Sequence, residues 1–132
     1  MTTSIHQENT FNTTPQALFD AFVNAEKHSA FTGSPARIEP VEGSAFSVYD
    51  GGVDGRQIEL VTHQRIIQAW RGADWPDGVY SIVRLDFQPL DDRTLLVLDH
   101  TGIPEGSAAH LESGWYKMYW EPLKTWLEAR SQ

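Results

Sequence analysis

The sequence predicts an α+β fold in which a curved antiparallel sheet of six to seven strands wraps a long C-terminal helix. The helix is indicated by residues 107–130, where large apolar side chains recur at spacings of three and four and therefore share one face. The sheet is indicated by six upstream segments of strand-like pattern, separated by Gly, Pro and Asp. A helix of about 36 Å needs a broad apolar partner, and the sheet is the one available. The apolar stripe on the helix consists of Leu111, Trp115, Met118, Tyr119, Leu123, Trp126 and Leu127.

One strand and two short helices are predicted before the main part of the sheet. Residues 5–11 read as a strand. Thr14 precedes Pro15 in the order expected at a helix N-terminus, and four large apolar residues follow at helical spacing. A second short helix is predicted over residues 26–31, because the Thr-Gly-Ser-Pro tetrad after it ends a helix.

The remaining strands are predicted at residues 36–39, 45–49, 57–62, 65–71, 79–88 and 94–101. Turns are expected at Gly51-Gly52, at Gly55, at Asp91-Asp92 and at the Trp-Pro-Asp-Gly tetrad of residues 75–78. Alternation places a set of side chains on the inner face: Phe46, Val48, Ile58, Leu60, Val79, Ser81, Val83, Leu85 and Phe87. The last strand is apolar on both sides, so its inner residues are either Leu95 and Val97 or Leu96, Leu98 and His100.

Two features of the C-terminal helix follow from single residues. Ser107 is placed to act as its N-cap. Pro122 lies inside the helix and lacks the N–H that would bond the carbonyl of Met118. We therefore expect a kink near Pro122.

Composition indicates one domain, residues 1–132, with one core. The net charge of -8 disfavours nucleic acid and anionic membrane surfaces as partners. The chain has no cysteine, which excludes disulfides and thiolate zinc sites. No leader-like or membrane-spanning apolar run is present, so we expect a cytoplasmic protein that does not enter a membrane.

Catalytic and metal-binding motifs are absent from the sequence. No nucleophile elbow, dinucleotide fingerprint, phosphate loop or zinc-protease motif occurs, and the five histidines are scattered, so neither catalytic residues nor a metal or other cofactor is expected. His100 is the best single candidate for function, although a buried histidine bonded to backbone is the favoured interpretation. Its neighbour Asp99 points to the opposite face of the strand, which argues against a catalytic dyad.

The five tryptophans divide into two groups by their sequence positions. Trp115 and Trp126 lie on the helical stripe and are expected in the core, while Trp70 lies in a strand. Trp75 sits in a turn beside Pro76, and Trp120 lies off the stripe, so both are expected to be exposed. With Asp77 they form the predicted partner surface.

A family resemblance is carried by motifs that follow one another along nearly the whole chain: AFTGSPA at 30–36, EGSAFSV at 42–48, DGGVDG at 50–55, residues 66–75 with two tryptophans, TGIP at 101–104, Gly114-Trp115 and MYW at 118–120. In these motifs the chain resembles the C-terminal domain of the activator of the 90-kilodalton heat-shock chaperone's ATPase. That domain belongs to the START-like (SRPBCC, helix-grip) superfamily. The resemblance implies a helix-grip fold and a chaperone of the 90-kilodalton class as partner. The eukaryotic activator also has an N-terminal domain, which these residues do not resemble.

Three functions remain open from the sequence. The first is a non-enzymatic, chaperone-associated protein-binding module. The second is a carrier or sensor of a small hydrophobic ligand, and the third is a cyclase- or hydrolase-type enzyme that uses His100 and Tyr119 as acid and base. The free volume beneath the helix separates them, since a carrier needs about 300 Å³ or more. The expected cavity is lined by Phe46, Trp70, Val83, Leu85, His100, Trp115, Met118 and Tyr119.

Overall fold

The computed structural model describes residues 2–130 as one sheet covered by helices. A first strand, β1, is followed by two short helices, five more strands and a segmented C-terminal helix. The bounds are β1 Thr2–Phe11, α1 Pro15–Val23, α2 Ala25–Thr32, β2 Ala45–Val48, β3 Val53–Val61, β4 Arg65–Gly72, β5 Ser81–Leu90, β6 Arg93–Pro104, α3 Ala108–Trp115, a π-helical turn at Tyr116–Trp120, and α4 Glu121–Arg130.

The six strands form one antiparallel sheet in the order β1-β6-β5-β4-β3-β2. Neighbours in sequence are neighbours in the sheet, except that β1 crosses to pair with β6. The helices cover one face, where α1 packs Phe19 and Phe22 against Phe87 of β5. The predicted α+β fold with two short helices after the first strand is confirmed.

The register of β6 is settled by its pairing with both neighbours. Leu98 is opposite Leu85 of β5, and both are buried, so Leu96, Leu98 and His100 are the inward residues. The alternative set, Leu95 and Val97, lies on the other face. Val97 is nevertheless 9% exposed, which explains why the strand is apolar on both sides.

The predicted strand at residues 36–39 is wrong. Only Arg37 forms a bridge there, to Ser47 of β2. Pro35 and Pro40 flank this segment and have no N–H to donate, so the pairing cannot extend through either residue.

Two further predictions in β3 are corrected by a bulge and by a close backbone contact. The register shifts between Gln57 and Glu59, so Ile58 is an extra residue that points outward and is 49% exposed, whereas Gln57 is buried. Gly55 lies within β3 and not in a turn. It packs so closely against β4 that a Cβ there would lie 1.8 Å from the carbonyl oxygen of Ala69.

The C-terminal helix contains a π-helical turn that ends two residues before Pro122. This turn adds a residue to the helical repeat and rotates the apolar stripe. Trp120 is therefore buried at 1% exposure, and Met118 is turned outward at 45%. The expectations that Trp120 is exposed and that Met118 lies on the buried stripe are both wrong.

Side chains from the sheet and its β2–β3 turn also donate hydrogen bonds to backbone carbonyls of the C-terminal helix. The carbonyl of Met118, which Pro122 cannot bond, accepts a hydrogen bond from the Tyr49 hydroxyl. The carbonyl of Glu112 accepts one from Nε2 of Gln7, at 2.9 Å. Ser107 occupies the predicted N-cap position, but its side chain makes no capping hydrogen bond.

Replacing Gly55 with Ala should destabilise the fold strongly. The added methyl would collide with the Ala69 carbonyl, which is backbone and cannot rotate away, so we expect the free energy of unfolding to fall by about 3 kcal/mol. Urea denaturation measures this. Gly114→Ala is the matched control, because a Cβ at Gly114 meets no atom within 4 Å, and alanine raises helix propensity. Equal stability of the two variants would contradict the close contact.

Candidate functional site

The space between the sheet and the helix is almost filled by side chains. Its remaining void, called the interior void here, measures about 10 Å³ and is lined in part by Phe46, Leu85, Trp115 and Tyr119. Such a volume accommodates about one water molecule. The interior therefore has no room for an organic ligand in this conformation.

A chain of hydrogen bonds connects the helix to the sheet inside this filled core. Nε1 of Trp115 donates to Nδ1 of His100 at 3.1 Å. Nε2 of His100 lies 2.7 Å from Oγ of Ser81, which donates to the carbonyl of Trp70 at 2.9 Å. Because Nδ1 of His100 accepts from Trp115, the proton of the neutral ring must be on Nε2, which donates to Oγ of Ser81. Each polar group in this series of hydrogen bonds therefore has a partner.

Both nitrogens of His100 are consequently occupied by structural contacts. Burial lowers the pKa of His100 to about 4, so the ring is neutral near pH 7. Its partners are the side chains of Ser81 and Trp115, not the backbone that the sequence led us to expect. Side-chain contacts of this kind cannot be read from spacing within one strand.

Tyr119 belongs to a separate buried group with His28. The Tyr119 hydroxyl lies 3.1 Å from Nε2 of His28, and Tyr119 stacks on Phe22. Burial raises the pKa of Tyr119 and lowers that of His28 to about 4, while Nδ1 of His28 has no hydrogen-bond partner among residues 2–130. Tyr119 and His100 thus have different polar partners, and the geometry does not pair them as acid and base.

An open cleft of about 520 Å³ lies at the end of the helix and sheet, and we call it the entrance cleft. Its walls come from the β2–β3 turn, the end of β4 with the following loop, and the α3 and π-helical residues. Five aromatic side chains line it: Tyr49, Trp70, Trp75, Trp115 and Tyr119. Other lining residues include Asp74, His110, Leu111, Gly114 and Met118.

The predicted cavity residues are divided between these two places. Trp70, Trp115 and Tyr119 separate the entrance cleft from the interior void and line both. Met118 lines only the cleft, while Phe46 and Leu85 line only the void. Val83 and His100 are completely buried and line neither.

The predicted partner residues also separate. Asp77 is exposed, with one carboxylate oxygen 3.5 Å from Nη2 of Arg71. Trp75 lines the cleft, but it is 8% exposed, so the expectation of an exposed ring is wrong. Trp120 lies in the core, where its indole N–H donates to Oε1 of Gln7 at 2.7 Å.

Burial of Trp75 has two local causes. Its ring packs edge-on against Trp70, with centroids 5.7 Å apart, and lies over Gly72, where a Cβ would be only 3.1 Å from the indole nitrogen. Arg71 holds the loop by donating to the carbonyls of Trp75 and Pro76. The glycine three residues before the tryptophan is the only sequence feature that indicates this arrangement.

Sequence reasoning missed Tyr49, Asp74, His110 and Gly114 as cleft residues, because each is identified only by its position beside another element.

A second groove of about 630 Å³ lies near α1, α2 and β3, with Asp20, Glu26 and Lys27 in its lining. Within residues 2–130, no three His, Cys, Asp or Glu side chains are grouped to hold a metal ion. None of the helices in that range is long and apolar enough to cross a membrane.

Truncation of Trp115 to Ala should lower the free energy of unfolding by roughly 3 to 5 kcal/mol, because the ring is 4% exposed and its removal leaves both a cavity and an unbonded His100. Thermal and urea denaturation provide the measurement. Trp126→Ala, at a half-buried ring that packs on Phe31, should cost less. A mild loss for the Trp115 variant would show that this part of the core is not closed.

Acidification should destabilise the domain through His28 and His100. Burial lowers both pKa values from 6.5 to about 4, so the unfolded chain binds more protons between those values. The contribution of these two histidines to stability is therefore complete above pH 6.5 and decreases toward pH 4, by about 1.4 kcal/mol per pH unit for each histidine at most. Denaturation across this range should give a smaller slope for His28→Gln than for the wild type. An unchanged slope in His28→Gln would contradict this prediction.

Comparison with known proteins identifies the family. The family model described as Activator of Hsp90 ATPase homolog 1-like protein matches residues 12–128. The chain is 35% identical over 131 residues to mouse Activator of 90 kDa heat shock protein ATPase homolog 2, covering 99% of this chain and 40% of that protein. Human homolog 1 is 33% identical over 123 residues, or 93% of this chain and 36% of that protein.

A solved structure agrees with this result. The crystal structure of an HSP90 activator from Plasmodium falciparum superposes with a TM-score of 0.90 at 25% identity, over 95% of this chain and 96% of that one. The chain spans about two fifths of the length of the curated relatives above. As its motifs predicted, the chain belongs to the family of Activator of Hsp90 ATPase homolog 1-like proteins.

Proposed function

We propose that this domain is a non-enzymatic binding module that engages a chaperone of the 90-kilodalton heat-shock class through the entrance cleft. The observation that carries this proposal is the contrast between a filled interior and an open aromatic cleft at its end. Aromatic side chains dominate the energetics of protein interfaces, and this cleft concentrates five of them. The family and the names of the relatives indicate the class of partner.

The proposal is limited to binding. The curated relatives are more than twice as long as this chain, so stimulation of a chaperone's ATPase is not assigned to these residues alone. We place the interaction in the cytoplasm, consistent with the predicted location. Acid and base catalysis has less support, because the polar atoms of His100 are engaged in structural hydrogen bonds.

A second candidate function is favoured by the size of the cleft. Its volume of about 520 Å³ falls within the usual range of small-molecule sites, and its lining is mostly apolar. A small hydrophobic ligand would then bind at the entrance rather than beneath the helix. Native mass spectrometry of protein isolated from its own cytosol distinguishes this alternative, because a bound metabolite would add a defined mass.

Met118→Glu should weaken chaperone binding, since it places a charge on an exposed apolar side chain in the cleft. We expect a loss of affinity of about tenfold or more, measured by isothermal titration against the purified 90-kilodalton chaperone of the same organism. Leu90→Glu introduces the same charge at a similarly exposed residue at the far end of β5, and it should bind like the wild type. Failure of the wild type to bind, or equal losses in both variants, would refute the proposal.

A further inference from the structure

The entrance cleft has an unbalanced charge distribution. No lysine or arginine is among its lining residues, and Asp74 is the lining carboxylate. Asp50, Asp54 and Asp77 lie in or beside the two loops that form the cleft walls. Four carboxylates are thus grouped at one end of the sheet.

Arg71 directly follows Trp70 on β4, yet it does not neutralise the cleft. Arg71 has a side chain that is only 13% exposed, and it directs its guanidinium to the carbonyls of the β4–β5 loop. The carboxylates of Asp54 and Asp77 approach it at 3.8 and 3.5 Å. Asp74 is exposed and has no ion-pair partner among residues 2–130, so its charge remains available at the cleft.

The aromatic side chains that line the cleft also favour a positively charged group in the molecule that binds there. The faces of Trp and Tyr rings carry negative electrostatic potential and attract ammonium and guanidinium groups. In the entrance cleft Tyr49 is half-buried and the other four rings are each no more than 8% exposed, so the ring surface that remains open and the carboxylate of Asp74 both select a cation. A negatively charged side chain would be repelled by the carboxylate and would gain nothing from the rings.

The helical wall provides an apolar surface next to this acidic one. Met118 is 45% exposed, and Leu111 lies one helical turn before Trp115 on the same side. Gly114 leaves open space above the helix, because a Cβ there would meet no atom within 4 Å. The backbone of a bound segment can therefore approach the helix closely. An apolar side chain of that segment can then pack on the helix while a neighbouring cationic side chain faces the carboxylate.

We propose that the entrance cleft binds a protein segment in which a lysine or arginine adjoins an apolar side chain. The cation lies against the aromatic rings near Asp74, and the apolar neighbour packs on Met118 and Leu111. The net charge of -8 assists the approach of such a segment. The inference rests on the proposed function in one respect, namely that the occupant of the cleft is a protein.

Selection from a random dodecapeptide library on the immobilised full chain tests this chemistry without the chaperone. Enriched peptides should contain a Lys or Arg beside an aliphatic or aromatic residue. Their affinity should fall about tenfold or more for Asp74→Lys, and also for Gly114→Trp, which fills the cleft. Asp92→Lys makes the same charge change in the β5–β6 turn, at the opposite end of the sheet, and should leave affinity within about twofold.

The results are separable from those of the chaperone titration. Enrichment of acidic or uncharged peptides, no enrichment, or affinity that is indifferent to Asp74→Lys and Gly114→Trp would overturn the inference, even if the chaperone binds. Enrichment of basic apolar peptides that depend on both residues would support it, even if the chaperone does not bind. Circular dichroism of each variant establishes that it is folded before its affinity is compared.

Discussion

The contact on which the rest of the structure depends is the hydrogen-bond chain from Trp115 through His100 and Ser81 to the backbone of β4. Apolar burial alone is not directional and would let the helix slide along the sheet. A buried indole N–H must find an acceptor, and here the acceptor, Nδ1 of His100, is fixed on β6, so the bond favours this position of the helix. The position of Trp115 in turn determines where the interior void ends and the entrance cleft begins.

The π-helical turn is the second determinant of the site. By adding a residue to the repeat, it places Trp120 in the core and leaves Met118 on the cleft side. The Tyr49 hydroxyl donates a hydrogen bond to the carbonyl of Met118, which Pro122 cannot bond because it has no N–H. A local defect in the helix is thus compensated by the β2–β3 turn, and the same contact brings two walls of the cleft together.

Sequence pattern was sufficient for the fold, because periodicity reports which face each element buries. It placed Trp115 in the core correctly. It did not decide which side chains of β6 point inward, because that depends on pairing with β5 and β1. It failed where one residue changes the phase, at the bulge beside Ile58 and at the π-helical turn before Pro122. It also failed for Trp75, whose burial depends on Gly72 and Arg71 as neighbours in space.

The pairing of β1 with β6 has a consequence for synthesis on the ribosome. The two strands meet across as many as 102 sequence positions, at Thr2 and Pro104. Translation proceeds at about 5–20 residues per second, so the first strand waits several seconds for its partner to emerge. Until then its inward side chains, including Ile5 and Phe11, have no sheet to join. Nascent chains of this domain therefore pass through a period in which an unpaired edge is accessible to other molecules.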